Sequence, residues 1–171
     1  KDVDIILTNV SLPDLPFTGC GAEIAYRLGS KSQWVLDVHN TGCISFVFMM
    51  ELARSLMASG TAKSALICNV QTAAGRIFGQ EDNRKEKQSA VPGDGCGVGY
   101  LVANESSPIK SVITRNYGEF ACDMQVKTHD ERMWWQPGET SFHLDFSRRK
   151  VGKIVQRANT LVPGIIRDAC Q

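Results

Sequence analysis

Apolar residues in this chain fall into short continuous runs and into longer stretches with helical spacing, and the two kinds alternate. Continuous runs at residues 5–8, 34–38 and 65–70 predict buried strands. Apolar positions three and four residues apart predict helices at residues 21–28 and 44–59, each followed by a glycine that ends it. The second helix is apolar almost all round, which predicts that it is buried in the middle of a layered fold.

In the later part of the chain, apolar runs and stretches with helical spacing also occur, but they are less clearly separated. Runs at residues 99–103 and 109–116 predict two more strands, and residues 146–161 predict an amphipathic helix that Pro163 interrupts. Residues 80–89 carry many charges of both signs and predict an exposed, mobile loop. Because the strands are continuous apolar runs, we expect an α/β fold whose sheet is covered on both faces.

Composition narrows the class of protein without identifying it. The 171 residues are 43% apolar and 22% charged, as in ordinary soluble proteins, and the net charge of +1 argues against a nucleic-acid partner. No apolar run approaches the ~20 residues of a membrane span. Six scattered cysteines without a CxxC pair indicate reduced thiols in a cytoplasmic protein, with no metal site. Because the chain starts almost within a strand and stops within a helix, we expect it to be part of a longer protein.

The candidate for chemistry is Cys43, which lies in a polar turn between a predicted strand and a predicted helix. A residue at such a turn meets free backbone N–H groups and the positive end of the helix dipole. That field favours the thiolate, the form in which a cysteine acts as the nucleophile of acyl transfer. The alternative is a small buried hydrophobic residue, which is the role of most cysteines.

A glycine-rich stretch at residues 91–100 is the second informative segment. No frame in it matches GxGxxG, and a strand follows where a dinucleotide-binding loop would need a helix. We expect instead a turn whose glycines let the backbone pass close to another element. Further along, the adjacent Trp134 and Trp135 predict an aromatic loop that either lines a pocket or packs in the core.

Together these segments resemble the thiolase fold, and within it the ketosynthase III branch of the β-ketoacyl-acyl-carrier-protein synthases. The resemblance rests on the Cys43 turn with its flanking elements, at residues 34–70, and on Gly-Asp-Gly-Cys-Gly with the following strand, at residues 92–104. It implies a layered α/β/α fold with a mixed five-stranded sheet. Residues 1–105 would form most of the N-terminal half, without its first strand and helices. Residues 106–171 would begin a truncated C-terminal half.

The resemblance also implies roles for individual residues. Cys43 would accept an acyl group from acyl-coenzyme A or acyl-carrier protein, and its backbone N–H would donate to the oxyanion. Phe17 would line the acyl pocket of the partner subunit, unless it is an ordinary core residue. Arg84 would meet the phosphates of coenzyme A and Trp134 would contact substrate. Asp94 would tie its loop by hydrogen bonds.

The catalytic His and Asn of the family would lie beyond residue 171, so this chain alone is expected to be inactive. Of the histidines that are present, His39 precedes Cys43 by four residues, and a structural role is favoured there over that of the catalytic base. His129 and His143 fall in the variable region that follows the glycine-rich stretch, and we expect them at the surface.

The function implied by the resemblance is acyl transfer without a bound cofactor, in a cytoplasmic homodimer whose interface buries residues 34–38. The acceptor would be malonyl-carrier protein, in a decarboxylative Claisen condensation that initiates fatty-acid or polyketide synthesis. Many family members have an alanine-rich turn where this chain has Asn40-Thr41-Gly42. An O- or N-acyltransferase of specialised metabolism is therefore an alternative, and a non-catalytic ketosynthase-like partner subunit is another.

Overall fold

The computed structural model describes residues 2–13, 18–39, 41–128, 133, 136–137, 142–145 and 147–171, with only the backbone at His143. The chain forms two compact units, Lys1–Arg76 with Pro92–Lys110 and Ile77–Val91 with Ser111–Gln171. The first unit carries Cys43 and the glycine-rich stretch. The predicted division at residue 105, between the halves of a larger fold, stays a prediction.

The first unit is built on a mixed sheet of four strands: β1 (Ile5–Val10), β2 (Trp34–Asp37), β3 (Ser64–Gln71) and β4 (Gly95–Val102). Their order is β2-β1-β3-β4, with β1 parallel to both of its neighbours and β4 antiparallel to β3. The position of β1 between two strands explains its continuous apolar sequence, since Ile5, Ile6 and Leu7 are all fully buried. The predicted α/β class and mixed sheet are confirmed.

The strand count differs from the five expected because residues 109–116 form no strand. Pro108 has no N–H to donate to a ladder, and the apolar pair Val112 and Ile113 is too short a run to bury both faces of a strand. The second unit has instead an antiparallel pair that the sequence did not reveal, β5 (Gln125–Thr128) and β6 (Phe142–Asp145).

Two helices cover opposite faces of the four-stranded sheet, which gives the layered arrangement. The first, α1 (Gly21–Leu28), lies on the face of Val35 and Asp37, so closely that a Cβ on Gly21 would be 2.8 Å from Val35 Cγ1. The Asp37 carboxylate accepts the Gly21 N–H at 3.1 Å and also the Thr8 hydroxyl. Asp37 therefore fastens the start of α1 to the sheet.

The second helix, α2 (Ser45–Ala58), packs on the other face. Met49 and Ala53 are fully buried, and the core that they enter is completed by apolar residues of the sheet and the turn before β3: Ile5, Leu7, Ala62, Ala65 and Ile67. The prediction of a helix buried all round is wrong for this unit, since Val47 and Phe48 are 42% and 41% exposed. A helix on a single sheet buries one stripe, and its other apolar residues need a second layer to cover them.

The second unit contains the long helix α3 (Arg148–Cys170), which continues through Pro163 without the predicted interruption. An interior proline costs a helix about 3 kcal/mol, and a helix of 23 residues has turns on both sides to absorb that cost. At the start of α3, hydrogen bonds from Lys127 and Lys150 lower the pKa of Asp145 to about 2. Asp145 thereby links β5, β6 and the first turn of the helix.

Residues 80–89 are more ordered than their composition predicts. They contain two 3-10 turns, Asn83–Lys85 and Lys87–Ala90. The charged side chains are exposed as expected, but Asn83 is only 4% exposed. The segment is therefore anchored to the second unit at this residue.

Candidate functional site

Cys43 lies beyond the edge of the sheet at which the three parallel strands end. After β2 the chain passes His39 and enters a 3-10 turn, Gly42–Ile44, which leads directly into α2. In open α/β sheets, ligands bind outside this carboxyl edge of the strands. Cys43 is exposed there in the part of the chain that the structure describes. The predicted strand-turn-helix placement of Cys43 is confirmed, and its role as nucleophile stays a prediction.

The turn before Cys43 depends on a glycine. Gly42 has a φ of +53°, in the left-handed region that side chains with a Cβ rarely adopt. Apart from its chain neighbours, no atom of a described residue lies within 4 Å of the place where a Cβ would stand, so the restriction comes from the backbone conformation. Gly42 lets the chain reverse sharply and place Cys43 at the beginning of α2.

Two hydroxyl groups hold this turn together. The Thr41 hydroxyl donates to Ser45 Oγ at 2.8 Å, and the Ser45 hydroxyl donates to the Gly42 carbonyl oxygen. Ser45 is fully buried, whereas Cys43 beside it is exposed. Reasoning from the sequence did not identify these two residues. The signal that could have identified Ser45 is its position, three residues after Gly42 at the start of a helix.

Asp94 ties the glycine-rich loop to the chain that follows β3, as predicted. Its two carboxylate oxygens accept the backbone N–H groups of Ala74 at 2.8 Å and of Gly75 at 3.0 Å. These residues begin a π-helical turn, Ala74–Phe78, at the same edge of the sheet as Cys43. A carboxylate that accepts two backbone N–H groups fixes both segments in place.

The glycines of β4 permit a close approach, which confirms the expectation for this stretch. A Cβ on Gly99 would lie only 2.7 Å from Cζ of Phe46, in the first turn of α2. Because Gly99 has no side chain, the first turn of α2 packs directly on β4. Because Phe46 follows Cys43 by three residues, the same packing helps to position the cysteine turn.

A buried asparagine supports the chain between β2 and Cys43. Asn9, at 7% exposure, donates its side-chain N–H to the Val38 carbonyl at 2.6 Å. Nearby, the loop after β1 is joined to the end of β3 because Ser11 Oγ accepts the Thr72 N–H at 2.9 Å. These polar residues at strand ends were also missed by reasoning from the sequence.

The structure gives less information about the roles of the other predicted site residues. Phe17 and Trp134 lie outside the described residues, as does His129. Arg84 is exposed on a 3-10 turn of the second unit, whereas Cys43 belongs to the first. His39 is exposed between β2 and the cysteine turn. Their predicted roles stay predictions.

Cys68, another thiol of the first unit, differs from Cys43 in its surroundings. Cys68 is buried in β3, and its pKa is raised by burial and, to a lesser degree, by the neighbouring thiols of Cys96 and Cys20. A raised pKa disfavours the nucleophilic thiolate. Among the residues that the structure describes, no group of three or more His, Cys, Asp or Glu side chains could hold a metal ion.

Comparison with known proteins gives a consistent set of relatives. The sequence pattern of the 3-oxoacyl-[acyl-carrier-protein (ACP)] synthase III family matches residues 36–118. The β-ketoacyl-[acyl-carrier-protein] synthase III of Clostridium perfringens is 34% identical over 122 residues, which cover 69% of this chain and 35% of the relative. The enzyme of the same name from Xanthomonas euvesicatoria is 31% identical over 159 residues, covering 93% of this chain and 44% of the relative.

Solved structures agree about the fold. AbyA1, described as a tetronic acid condensing enzyme, superimposes with a TM-score of 0.73 at 21% identity, over 97% of this chain and 51% of that chain. The chain thus spans between a third and a half of the length of the curated relatives above. No helix in the described part of the chain is long and apolar enough to cross a membrane.

Proposed function

Because the chain belongs to the 3-oxoacyl-[acyl-carrier-protein] synthase III family, we propose that it is part of an acyl-transferring condensing enzyme with Cys43 as the acyl acceptor. The observation that carries the proposal is the exposed Cys43 at the start of α2, outside the carboxyl edge of the parallel strands. A helix start supplies unpaired N–H groups and a positive end, which favour a thiolate and a developing oxyanion.

In the first half of the proposed reaction, the Cys43 Sγ attacks the carbonyl carbon of an acyl-coenzyme A or acyl-carrier-protein thioester. The new bond joins Sγ to that carbon, and the bond from the carbon to the pantetheine sulfur breaks. The proton of the Cys43 thiol ends on the departing pantetheine thiol. The Cys43 N–H stabilises the negative oxygen of the tetrahedral intermediate.

In the second half, malonyl-carrier protein loses carbon dioxide, and the resulting carbanion attacks the acyl group on Cys43. The carbon–carbon bond forms, and the Cys43 sulfur leaves and regains a proton. By the family resemblance, this step needs a His and an Asn that lie outside residues 1–171. Acyl thioesters are the substrates throughout, and no bound cofactor is part of the proposal.

Substrate contacts are proposed for three further residues. Phe17 follows β1 in the sequence and would line the acyl pocket of the partner subunit, while Arg84 would meet coenzyme A phosphates and Trp134 would contact substrate. Arg84 has the exposure and charge that a phosphate contact needs.

A homodimer is also part of the proposal. Strand β2 lies at the edge of the described sheet, so one side of its backbone is free to pair with another strand. Trp34 on this strand is 38% exposed, and Tyr26 and Leu28 on α1 are 85% and 52% exposed. A second copy that pairs along β2 would cover the edge and Trp34.

The second candidate is transfer of the acyl group to an oxygen or nitrogen acceptor. It is favoured by the turn that precedes Cys43, where Thr41 replaces the small apolar residues expected from the resemblance and takes part in a hydrogen bond.

Intact-mass measurement tests the acylation step. The purified full-length protein is incubated with acetyl-, butyryl- and octanoyl-coenzyme A, and the labelled peptide is then mapped. We expect one acyl group on the Cys43 peptide, and at least a hundredfold slower labelling in Cys43→Ala, because the variant lacks the nucleophile.

The matched control is Cys96→Ala, which removes another exposed thiol of the same unit and should label like the unaltered protein. Labelling that persists in Cys43→Ala, or that maps to Cys96, would show that Cys43 is not the acyl acceptor. Absence of labelling in the unaltered protein would favour a non-catalytic partner subunit.

A further inference from the structure

The Ser45 hydroxyl is placed unusually for a residue of this turn. Gly42, Cys43 and Ile44 are exposed, whereas Ser45 is fully buried. A buried hydroxyl must find hydrogen-bond partners, and Ser45 finds both of its partners within the turn itself. It accepts from the Thr41 hydroxyl at 2.8 Å and donates to the Gly42 carbonyl.

The Gly42 carbonyl therefore receives two donors from one residue, since the Ser45 backbone N–H also binds it. Neither the 3-10 turn nor α2 has a conventional side-chain cap at its first residue. The hydroxyl of Ser45 fastens a carbonyl at the helix start, where a conventional capping side chain would bind free N–H groups.

The consequence for Cys43 follows from the geometry of the peptide bond. The Gly42 C=O and the Cys43 N–H belong to one planar trans peptide, in which the two bonds are directed oppositely. Because the carbonyl is held toward Ser45 and the body of the helix, the Cys43 N–H is directed away from the helix start. Cys43 itself is exposed at this turn.

We propose that Ser45 is a positioning residue that fixes the Cys43 N–H as the oxyanion donor of the acylation step. Thr41 is the second positioning residue, because its hydroxyl donates to Ser45. A serine hydroxyl has a single hydrogen, and the hydrogen bond from Thr41 occupies its acceptor side, so the hydrogen is left for the Gly42 carbonyl. The inference rests on the proposed acylation of Cys43, and it adds the residues that orient the donor.

Two reactions of the same thiol separate this role from general support of the fold. Acylation by an acyl-coenzyme A passes through a tetrahedral oxyanion, whereas alkylation by iodoacetamide displaces iodide at a saturated carbon and forms no oxyanion. We expect Ser45→Ala to slow acylation of Cys43 about tenfold, in line with partial loss of one oxyanion-hole donor. Alkylation of Cys43 should stay within about twofold of the unaltered protein, because the thiol itself is retained.

Variants of Thr41 give an independent test if Ser45→Ala folds poorly. Thr41→Val removes the donated hydrogen bond and should lower the ratio of acylation to alkylation in the same direction. Thr41→Ser keeps a hydroxyl and should restore the ratio to that of the unaltered protein.

The chain contains a matched control at the other end of α2. Ser59 Oγ donates to the Leu56 carbonyl at 2.7 Å and lies 2.8 Å from the Thr61 hydroxyl, the same kind of arrangement far from Cys43. Ser59→Ala should leave both reactions unchanged.

The outcomes distinguish this inference from the function on which it rests. An unaltered protein that acyl-coenzyme A does not label overturns the proposed function, and the inference with it. An unaltered protein that is labelled, together with an unchanged acylation-to-alkylation ratio in Ser45→Ala and Thr41→Val, overturns only the positioning role. Equal losses in both reactions would show that Ser45 supports the fold and does not orient the donor.

Discussion

Asn83 lies in the highly charged stretch at residues 80–89, yet its side chain is buried and makes three hydrogen bonds. Its amide nitrogen donates to the carbonyls of Ile77 at 2.8 Å and Phe142 at 2.9 Å, and its oxygen accepts the Leu144 N–H at 3.2 Å. One side chain thereby joins the segment after the π-helical turn to strand β6. Ion pairs between neighbouring exposed charges contribute far less, typically under 1 kcal/mol.

We expect Asn83→Ala to lower the free energy of unfolding of the second unit by about 2–3 kcal/mol, because two carbonyls and one N–H lose their partner away from water. Hydrogen exchange at the Leu144 N–H reports the change locally, and denaturant unfolding reports it globally. The control is Asn104→Ala in the first unit: Asn104 likewise takes part in three hydrogen bonds, all of them accepted by its Oδ1, but within an exposed turn. Equal effects of the two substitutions would contradict the importance of burial.

Single residues of this kind explain what the sequence could not reveal. The helical spacing and the turn glycine placed Cys43 correctly, because both are local signals. Asn83, Ser45 and Asn9 are polar residues whose value depends on partners that only the folded chain brings near, or on burial that composition does not predict. Phe17 and Trp134 were selected by resemblance and by composition, and their roles stay predictions.

At the scale of elements, the contact between α2 and β4 decides how closely the helix start approaches the sheet. Phe46 occupies the space above Gly99 and also packs against the core.

The elements that form the core of the first unit were predicted correctly from continuous apolar runs or helical spacing, as for β1, β3 and α2. The hairpin β5–β6 was missed because its four-residue strands give little periodic signal.

Gly99→Ala tests this contact. A Cβ at 2.7 Å from Phe46 Cζ must displace the ring, and we expect a loss of about 1–2 kcal/mol in the free energy of unfolding of the first unit. Acylation of Cys43 should slow as well, since Phe46 lies one turn away from it. Denaturant unfolding and the intact-mass assay measure the two effects.

The matched control is Gly97→Ala in the same strand, where no atom of the described residues, chain neighbours apart, lies within 4 Å of the added Cβ. Alanine restricts the unfolded chain, so this variant should be neutral or about 0.5 kcal/mol more stable. If both substitutions had the same effect, the close approach of Phe46 would not be the cause.

At the scale of the whole molecule, several apolar surfaces lack a partner in the described residues, and the chain spans between a third and a half of the length of its curated relatives. The outer face of α2 carries exposed Val47 and Phe48, and the free edge of the sheet carries Trp34. The sequence predicted burial for both, because an apolar run signals that a surface is covered without indicating what covers it. In the described sheet, β2 is an edge strand.

Trp34→Glu tests whether that edge is a subunit interface. In a twofold-symmetric dimer that pairs along β2, the substitution places two like charges near the symmetry axis, and like charges across an interface cost several kcal/mol. We expect the dissociation constant of the dimer to rise at least about tenfold, measured by sedimentation velocity over a range of concentrations.

Val98→Glu is the control, because Val98 is 62% exposed on β4, at the opposite edge of the same sheet. If the dimer uses the β2 edge, only Trp34→Glu weakens it. If Val98→Glu alone weakens the dimer, the interface lies on the β4 side, and Trp34 is covered by another part of the same protein. If neither substitution changes the dissociation constant of the dimer, the interface lies away from both edges of this sheet.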